Sequence, residues 1–462
     1  MTFNKIITIS GVILIITIIF PCGIRFFVYT SNDSGDIEPL FLTPYIDDGR
    51  FDEAKKLAAV NYEKMPDIES YAGYLTVNKK YNSNLFFWLF SAEINPRDAP
   101  TILWLQGGPG ISSLAGAFFE NGPFIFGKNK TLKINPYRWS ISHNVIYIDS
   151  PVGTGYSFTD NEEGFSKNET QVYEDLYAGL VQFFKLFSEL QSNDLYIAGE
   201  SYSGKSIPGF SYTIHKKNPT AEIKINLKGL AIGNGYLDPI NQFNYGDYLY
   251  QIGVVDFNGR EKFDEYEKKA VAFMNKNEHN NSVDIFDELF IKSPSLLMNL
   301  TGSSFIFNYL IEKGPDLKDI LTEWMRKTDL HRAIHVGSVP FEYANKTVGN
   351  YLRHEFTESH AHTVAALLPH YKVLLYNGQV DIIVPYPFLV NFIQKLQWPG
   401  ADDYKKAQRN IWRVNGQVAG YVKIVHNLIE VLVRNAGHLV PTDQPEWALD
   451  LITQFTHHQT VH

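Results

Sequence analysis

Ser201, Asp381 and His438 have the side-chain types and chain order that nucleophilic acyl transfer needs. A serine hydroxyl is a weak nucleophile until an imidazole takes its proton. The imidazole in turn needs a carboxylate to fix its tautomer and stabilise its charged form. Ser201 stands in "YIAGESYSGKSIP", where an apolar run breaks at Gly199, Glu200, Ser201, Tyr202, Ser203 and Gly204. The pattern G-x-S-x-G marks a sharp strand-to-helix turn that lifts a serine hydroxyl clear of the backbone. Here it reads G-x-S-x-S with Gly204 one place later, and an ordinary Gly/Ser turn explains the segment equally well. Taken singly, Asp381 reads as a turn cap and His438 as one of 14 histidines bonded locally. The stretch "WLQGGPG", Trp104 to Gly110, adds adjacent glycines that let backbone approach a reacting atom. The N–H groups of Gly108 and Tyr202 would there form an oxyanion hole. A phosphate loop is the rival reading, but no "GK[ST]" and no third spaced glycine follow.

What must position these groups is a set of short apolar runs that end in turn residues: "TILWLQGGPG", "NVIYIDSPVGTG", "DLYIAGES", "LKGLAIGNG", "YKVLLYNGQVD" and "IEVLVRNAGHLVP". Runs this apolar suit strands buried on both faces of a parallel sheet. Between two of them Val172, Leu176, Leu180, Phe183, Phe184 and Phe187 recur at helical spacing. Alternating strand and helix predicts an α/β doubly wound fold. In such sheets chemistry gathers at the carboxyl ends of the strands. Ser201, Asp381 and His438 each follow a separate run, in the order of an α/β-hydrolase triad. Upstream, a helix is expected at Asp52–Glu63, then a hairpin of Tyr71–Val77 and Leu85–Phe90 around "NKKYNSN". The rhythm breaks between about 239 and 355, a polar, helix-like stretch. The expected layout is a leader at 1–31, the first hydrolase part at 32–238, a mainly helical cap at 239–355 and the second part at 356–462.

The 462 residues are 44% hydrophobic and 14% aromatic, which suits a large folded core and excludes disorder. A net charge of −9 without a basic cluster argues against nucleic acid as a partner. Lys5 precedes an apolar run from Ile6 to Phe20, the pattern of a secretory signal. No clean cleavage site follows, so a signal anchor, and with it membrane attachment, stays open. Six sequons, at Asn32, Asn129, Asn168, Asn280, Asn299 and Asn345, accord with export and glycosylation. Cys22 is the one cysteine, so a disulfide framework is not expected. "HAH" at His360–His362 and the tail "HHQTVH" find no third ligand, so no metal or other cofactor is expected.

The segments "WLQGGPGISSLAGAFFENGP", "YIDSPVGTGYSF", "GESYSGKSIP", "YNGQVDIIV" and "NAGHLVPTDQP" together resemble the serine carboxypeptidase family, in its vitellogenic-like branch. The resemblance runs from about Asp67 to the C-terminus. It implies an α/β-hydrolase fold with an inserted cap and release of C-terminal amino acids from peptides or proteins at acidic pH. It further implies that Gln106 and Glu200, with the Gly107 N–H, bind the substrate's terminal carboxylate, and that Glu120 supports them. Two close carboxyls do not both ionise readily, so at least one should titrate high. The chain departs from many relatives at Ile111, where they carry a cysteine, at Ser203 in place of Ala or Gly, and at Leu439 in place of Met. A secreted or lysosome-like location follows from the resemblance, and a homodimer stays open. Acyl transfer on the same scaffold and a non-catalytic protective or binding role remain the alternatives.

Overall fold

The structure, a computed structural model, describes residues 38–65, 68–127 and 130–457, together with strand backbone at 4–9, 12–17 and 28–29. Ten strands build the main sheet. They are β1 (Ser70–Asn78), β2 (Ser83–Phe90), β3 (Thr101–Leu105), β4 (Asn144–Ile148), β5 (Leu195–Glu200), β6 (Leu227–Gly233), β7 (Lys372–Gly378), β8 (Asn410–Val414), β9 (Gln417–Val425) and β10 (Leu428–Val433). Their spatial order is β8-β9-β10-β7-β6-β5-β3-β4-β2-β1. The strands β4, β3, β5, β6, β7 and β10 are parallel to one another and form the centre. These are the six apolar runs of the sequence. The outer pairings are antiparallel. This large mixed sheet with its helices is an α/β-hydrolase fold.

Side chains of β3, β4 and β5 alternate between two cores. Leu103, Ile146 and Ile197 face a core with helix α1 (Glu169–Leu186) and helix α2 (Ser203–Lys217), through Val172, Leu180, Phe183 and Phe210. Trp104, Tyr147 and Tyr196 face the opposite core, with Trp88, Phe118 and Trp412. Each large apolar side chain buried there contributes roughly 1.5–3 kcal/mol. The start of α1 is fixed by Asn168, whose side chain accepts the Gln171 N–H at 3.0 Å.

Between β6 and β7 the described elements are all helical. Their apolar residues divide. Tyr245, Phe263 and Phe290 form a third core with Ile382, Ile383 and Val384 beyond β7. Leu321, Trp324 and Leu330 instead join the core that holds Trp88 and Phe118.

Two local expectations change. The helix expected over Asp52–Glu63 ends at Ala58, because Ala59 leaves it to bridge Tyr71 of β1. The hairpin of β8 and β9 lies where no strand was expected. The backbone at Asn4–Ile9, Val12–Thr17 and Val28–Tyr29 pairs as a separate small antiparallel sheet. The remainder of the leader segment, Asn32, Asn129 and the end of the histidine tail lie outside the described residues. Among the described residues no helix is long and apolar enough to cross a membrane.

Candidate active site

Ser201 follows β5 directly and adopts φ 60°. A left-handed conformation in a serine costs about 1–3 kcal/mol and persists only where its surroundings hold it. Three backbone bonds do so: the Ser201 N–H donates to the Gly233 carbonyl, and the Ser201 carbonyl accepts from Gly204 and Tyr236, all at 3.0 Å. The small residues of the turn have separate causes. A Cβ on Gly199 would lie 2.1 Å from the Leu105 carbonyl oxygen, and one on Gly204 would lie 2.7 Å from the Tyr236 nitrogen. Ser203 is small enough to fit between them, and its Oγ donates to the Leu105 carbonyl at 2.7 Å. The G-x-S-x-S-G variant therefore keeps the crossing of strand and helix tight.

Asp381 and His438 sit in the loops after β7 and β10, and both are buried. His438 Nδ1 lies 2.8 Å from Asp381 Oδ2. Asp381 also accepts from the Asn234 amide at 2.7 Å and from the Ile383 and Val384 N–H groups at 2.9 and 3.2 Å. These donors fix the carboxylate in direction, facing His438 Nδ1. Nδ1 then carries the proton toward Asp381, and Nε2 presents its lone pair. Nε2 is buried, and among the described residues it has no hydrogen-bond partner. His438 and Ser201 line one cavity of about 400 Å³.

Gly107 backs directly onto Ser201, since a Cβ there would come within 2.7 Å of the serine Cβ. Gly108 has φ 123° and lines the cavity beside Tyr202. Among the described residues neither the Gly108 nor the Tyr202 N–H donates to a backbone carbonyl. Buried Asp149 holds the loop in place, accepting from Ser112 Oγ at 2.6 Å and from the Ser113 and Tyr156 N–H groups at 2.9 Å each. Burial pushes the Asp149 carboxyl up to about 6.

Gln106, Glu120 and Glu200 meet at one side of the cavity. The two N–H bonds of the Gln106 amide go to Glu200 Oε1 at 2.9 Å and Glu120 Oε1 at 3.1 Å. Its carbonyl oxygen accepts the Trp104 indole N–H at 2.8 Å, which sets the amide's orientation. Gln106 is thus fully engaged as a clamp on two carboxyls. Both carboxyls are buried. Burial raises Glu120 to about 7. Burial, and then the neighbouring Glu120, raises Glu200 well above the carboxylate range. The pair holds a proton across the acidic range, so it can donate a hydrogen bond to an anion.

The structure brings together the eight residues singled out for catalysis, oxyanion binding and carboxylate binding, and Glu120, singled out as their support. It adds Asn234, Asp149, Phe307, Asn308 and Asp443, which sequence reasoning passed over. "IGNG" and "YIDSP" gave faint signals for Asn234 and Asp149, whereas 305–309 carried none. The rest of the cavity wall is mostly apolar, with Asp316 and Lys318 the charged residues in it. Its apolar and aromatic lining includes Phe119, Tyr236, Phe286, Tyr343, Phe356 and Leu439. Among the described residues no group of three or more His, Cys, Asp or Glu side chains is placed to hold a metal ion. Of the sequons, Asn280 and Asn299 are exposed and Asn168 and Asn345 are half-buried.

Comparison with known proteins points the same way. The profile of the Peptidase S10 family, serine carboxypeptidase, matches residues 61–458. The chain is 54% identical to the venom serine carboxypeptidase of Apis mellifera, covering 91% of each. It is 47% identical to the vitellogenic carboxypeptidase of Aedes aegypti, over 91% of this chain and 90% of that one. Its fold is similar to that of Kex1(Δ)p, a prohormone-processing carboxypeptidase from Saccharomyces cerevisiae, with a TM-score of 0.76 at 24% identity. That match covers 87% of this chain and 96% of the other.

Proposed function

Because the chain belongs to the serine carboxypeptidase family, and is by that membership a serine carboxypeptidase, we propose the following division of labour. A peptide enters with its free C-terminus first. Its carboxylate meets the protonated Glu200 and the Gly107 N–H, while Gln106 holds Glu200 and Glu120 in place from behind. Ser201 Oγ attacks the carbonyl carbon of the last peptide bond as His438 Nε2 takes its proton. The oxyanion rests on the N–H groups of Gly108 and Tyr202. The imidazolium, steadied by Asp381, gives its proton to the departing amine, and the C–N bond breaks. The free amino acid leaves. Water, deprotonated by His438, then releases the shortened peptide from Ser201.

The observation that carries this reading is the Gln106 amide bridging two buried carboxyls in the cavity that holds Ser201 and His438. A neutral carboxyl pair beside a nucleophile distinguishes a free terminal carboxylate from an internal amide. The apolar walls favour an apolar residue at the chain end. The high titration of the pair supports work at acidic pH, and with the sequons it supports an acidic space of the secretory pathway. The same reading takes the insertion between about 239 and 355 as the cap over the cavity.

The test is stepwise digestion of peptides followed by mass. Loss of single C-terminal residues at acidic pH, none from amidated peptides, and none by Ser201→Ala is the expected result. Internal cleavage, or release by Ser201→Ala, would overturn it.

A further inference from the structure

Three consecutive residues from the stretch between β6 and β7 grip the two loops that carry Asp381 and His438. The His438 N–H donates to the Phe307 carbonyl at 2.7 Å. The Phe307 ring stacks on the imidazole, centroids 5.2 Å apart and planes at 24°. The Asn308 amide donates to Asp443 Oδ2 at 3.0 Å, and the same oxygen accepts the N–H of Gly437, next to His438, at 2.7 Å. The Tyr309 N–H donates to the carbonyl of Val380, next to Asp381, at 3.0 Å. The approach is close: a Cβ on Gly437 would lie 2.2 Å from the Phe307 carbonyl oxygen and 2.8 Å from Asn308 Cβ.

We propose that Phe307–Tyr309 is a clip that sets His438 against Asp381, with Asn308 and Asp443 as positioning residues. The proposal rests on the reading of His438 as base and Asp381 as its partner. A single Nδ1 bond leaves an imidazole free to pivot. The Phe307 ring closes one side of that motion, and the bonds to the His438 and Gly437 N–H groups fix the backbone that carries the ring. Phe305 and Ile306, two and one residues before the stacked ring, line the substrate cavity. Filling the cavity therefore bears on the clip, so the inserted stretch takes part in catalysis as well as covering the site.

The experiment compares Asn308→Ala, Asp443→Ala, their double variant and Phe307→Leu with wild type. Active enzyme is counted by stoichiometric labelling of Ser201 with a fluorophosphonate. Then kcat, KM and labelling rate are taken per active site. Misplacement of a catalytic group by about 1 Å costs up to about a hundredfold, so kcat per site should fall about ten- to a hundredfold in Asn308→Ala, with KM within about threefold. The labelling rate should fall in parallel. The double variant should be no worse than the poorer single, because both remove one shared bond. A merely structural role would instead reduce the labelled fraction and leave the per-site rates alone. That result, or a loss under about threefold in both Asn308→Ala and Phe307→Leu, overturns the clip. Where Asn308→Ala does not fold, Phe307→Leu decides, since it keeps the carbonyl and most of the bulk. Ser201→Ala and His438→Ala are run beside them. Activity in those two would sink the underlying reading, whereas their inactivity with undiminished clip variants sinks the clip alone.

Discussion

Replacing the substrate's terminal carboxylate by an amide should cost most of kcat/KM at acidic pH and progressively less as pH rises. The carboxylate is an acceptor with full charge, and a hydrogen bond to a charged group contributes about 1.5–3 kcal/mol. Losing the Glu200 bond therefore costs roughly ten- to a hundredfold in kcat/KM. The sign follows from the carboxyl pair. Glu120 is raised to about 7 and Glu200 well above the ordinary range, burial being the larger cause for each. The donor is thus present throughout the acidic range and is lost only as Glu200 gives up its proton, well above the ordinary carboxylate range. The acid-to-amide ratio should be flat through the acidic range and shrink only at the higher pH where Glu200 ionises. Glu200→Gln keeps a neutral donor and should flatten the ratio across the range. Glu120→Gln removes the second-largest cause of the Glu200 shift and should bring the decline to lower pH, without abolishing the shift that burial produces. The assay is kcat/KM on a matched peptide acid and amide from pH 4 to 9 in the three proteins. A ratio independent of pH in the wild type would refute the role given to Glu200.

Ser201→Ala should lose on the order of a millionfold in kcat, with a thermal midpoint unchanged in calorimetry; residual activity above about 1% of wild type would show another nucleophile. The folded protein should be more stable at pH 5 than at pH 7.5. Burial raises Asp149 to about 6 and Glu120, Glu169 and Glu267 to about 7, so their contribution is complete below the unfolded values and lost as pH climbs through 6 to 7. Buried His143 and His360, lowered to about 3 from 6.5, act oppositely between those values, as do the lowered His215, His335 and Lys205, while Asp175, raised to about 6, and Glu200 add to the carboxyls; a higher unfolding midpoint at pH 7.5 would reverse the argument. Glycopeptide mass spectrometry of protein from a eukaryotic secretory host should find exposed Asn280 and Asn299 occupied and Asn345 bare, because the Asn345 amide donates to the Gly153 carbonyl at 2.8 Å; an occupied Asn345 would show that this bond is dispensable.

The sequence disclosed what local chemistry alone determines. Strands buried on both faces must be apolar throughout, so the six central strands could be read one by one, and with them the three loops that carry Ser201, Asp381 and His438. The β8–β9 hairpin escaped because its strands alternate, with β8 exposing all but Trp412 and Val414, and so look like polar loop. Its turn was visible nonetheless. Asn415 and Gly416 adopt φ 48° and 78°, the left-handed pair that an Asn-Gly hairpin turn provides. The overlong helix before β1 failed for another reason, since pairing of Ala59 with Tyr71 overrides local propensity.

Contacts between distant loops left no such trace. Gln106 reaches Glu120 across 14 positions and Glu200 across 94, and only resemblance to a family grouped them. Both Gln106 N–H groups bond carboxyls in the structure, which is why the proposed mechanism has it hold Glu120 and Glu200. Asn308 and Asp443 are 135 positions apart, in segments without a shared period or motif. Sheet order brings the Asp381 and His438 loops so close that a Cβ on Gly378 would lie 1.9 Å from the Gly437 carbonyl oxygen. That proximity fixes where the two loops are, but not how the imidazole is turned. The turn is set by the stacked Phe307 and by the bonds around it, which come from a stretch that, read alone, is only the polar, helix-like interruption of a strand rhythm. On the proposed reading, the loops after the strands carry the triad and the stretch between β6 and β7 orients its histidine.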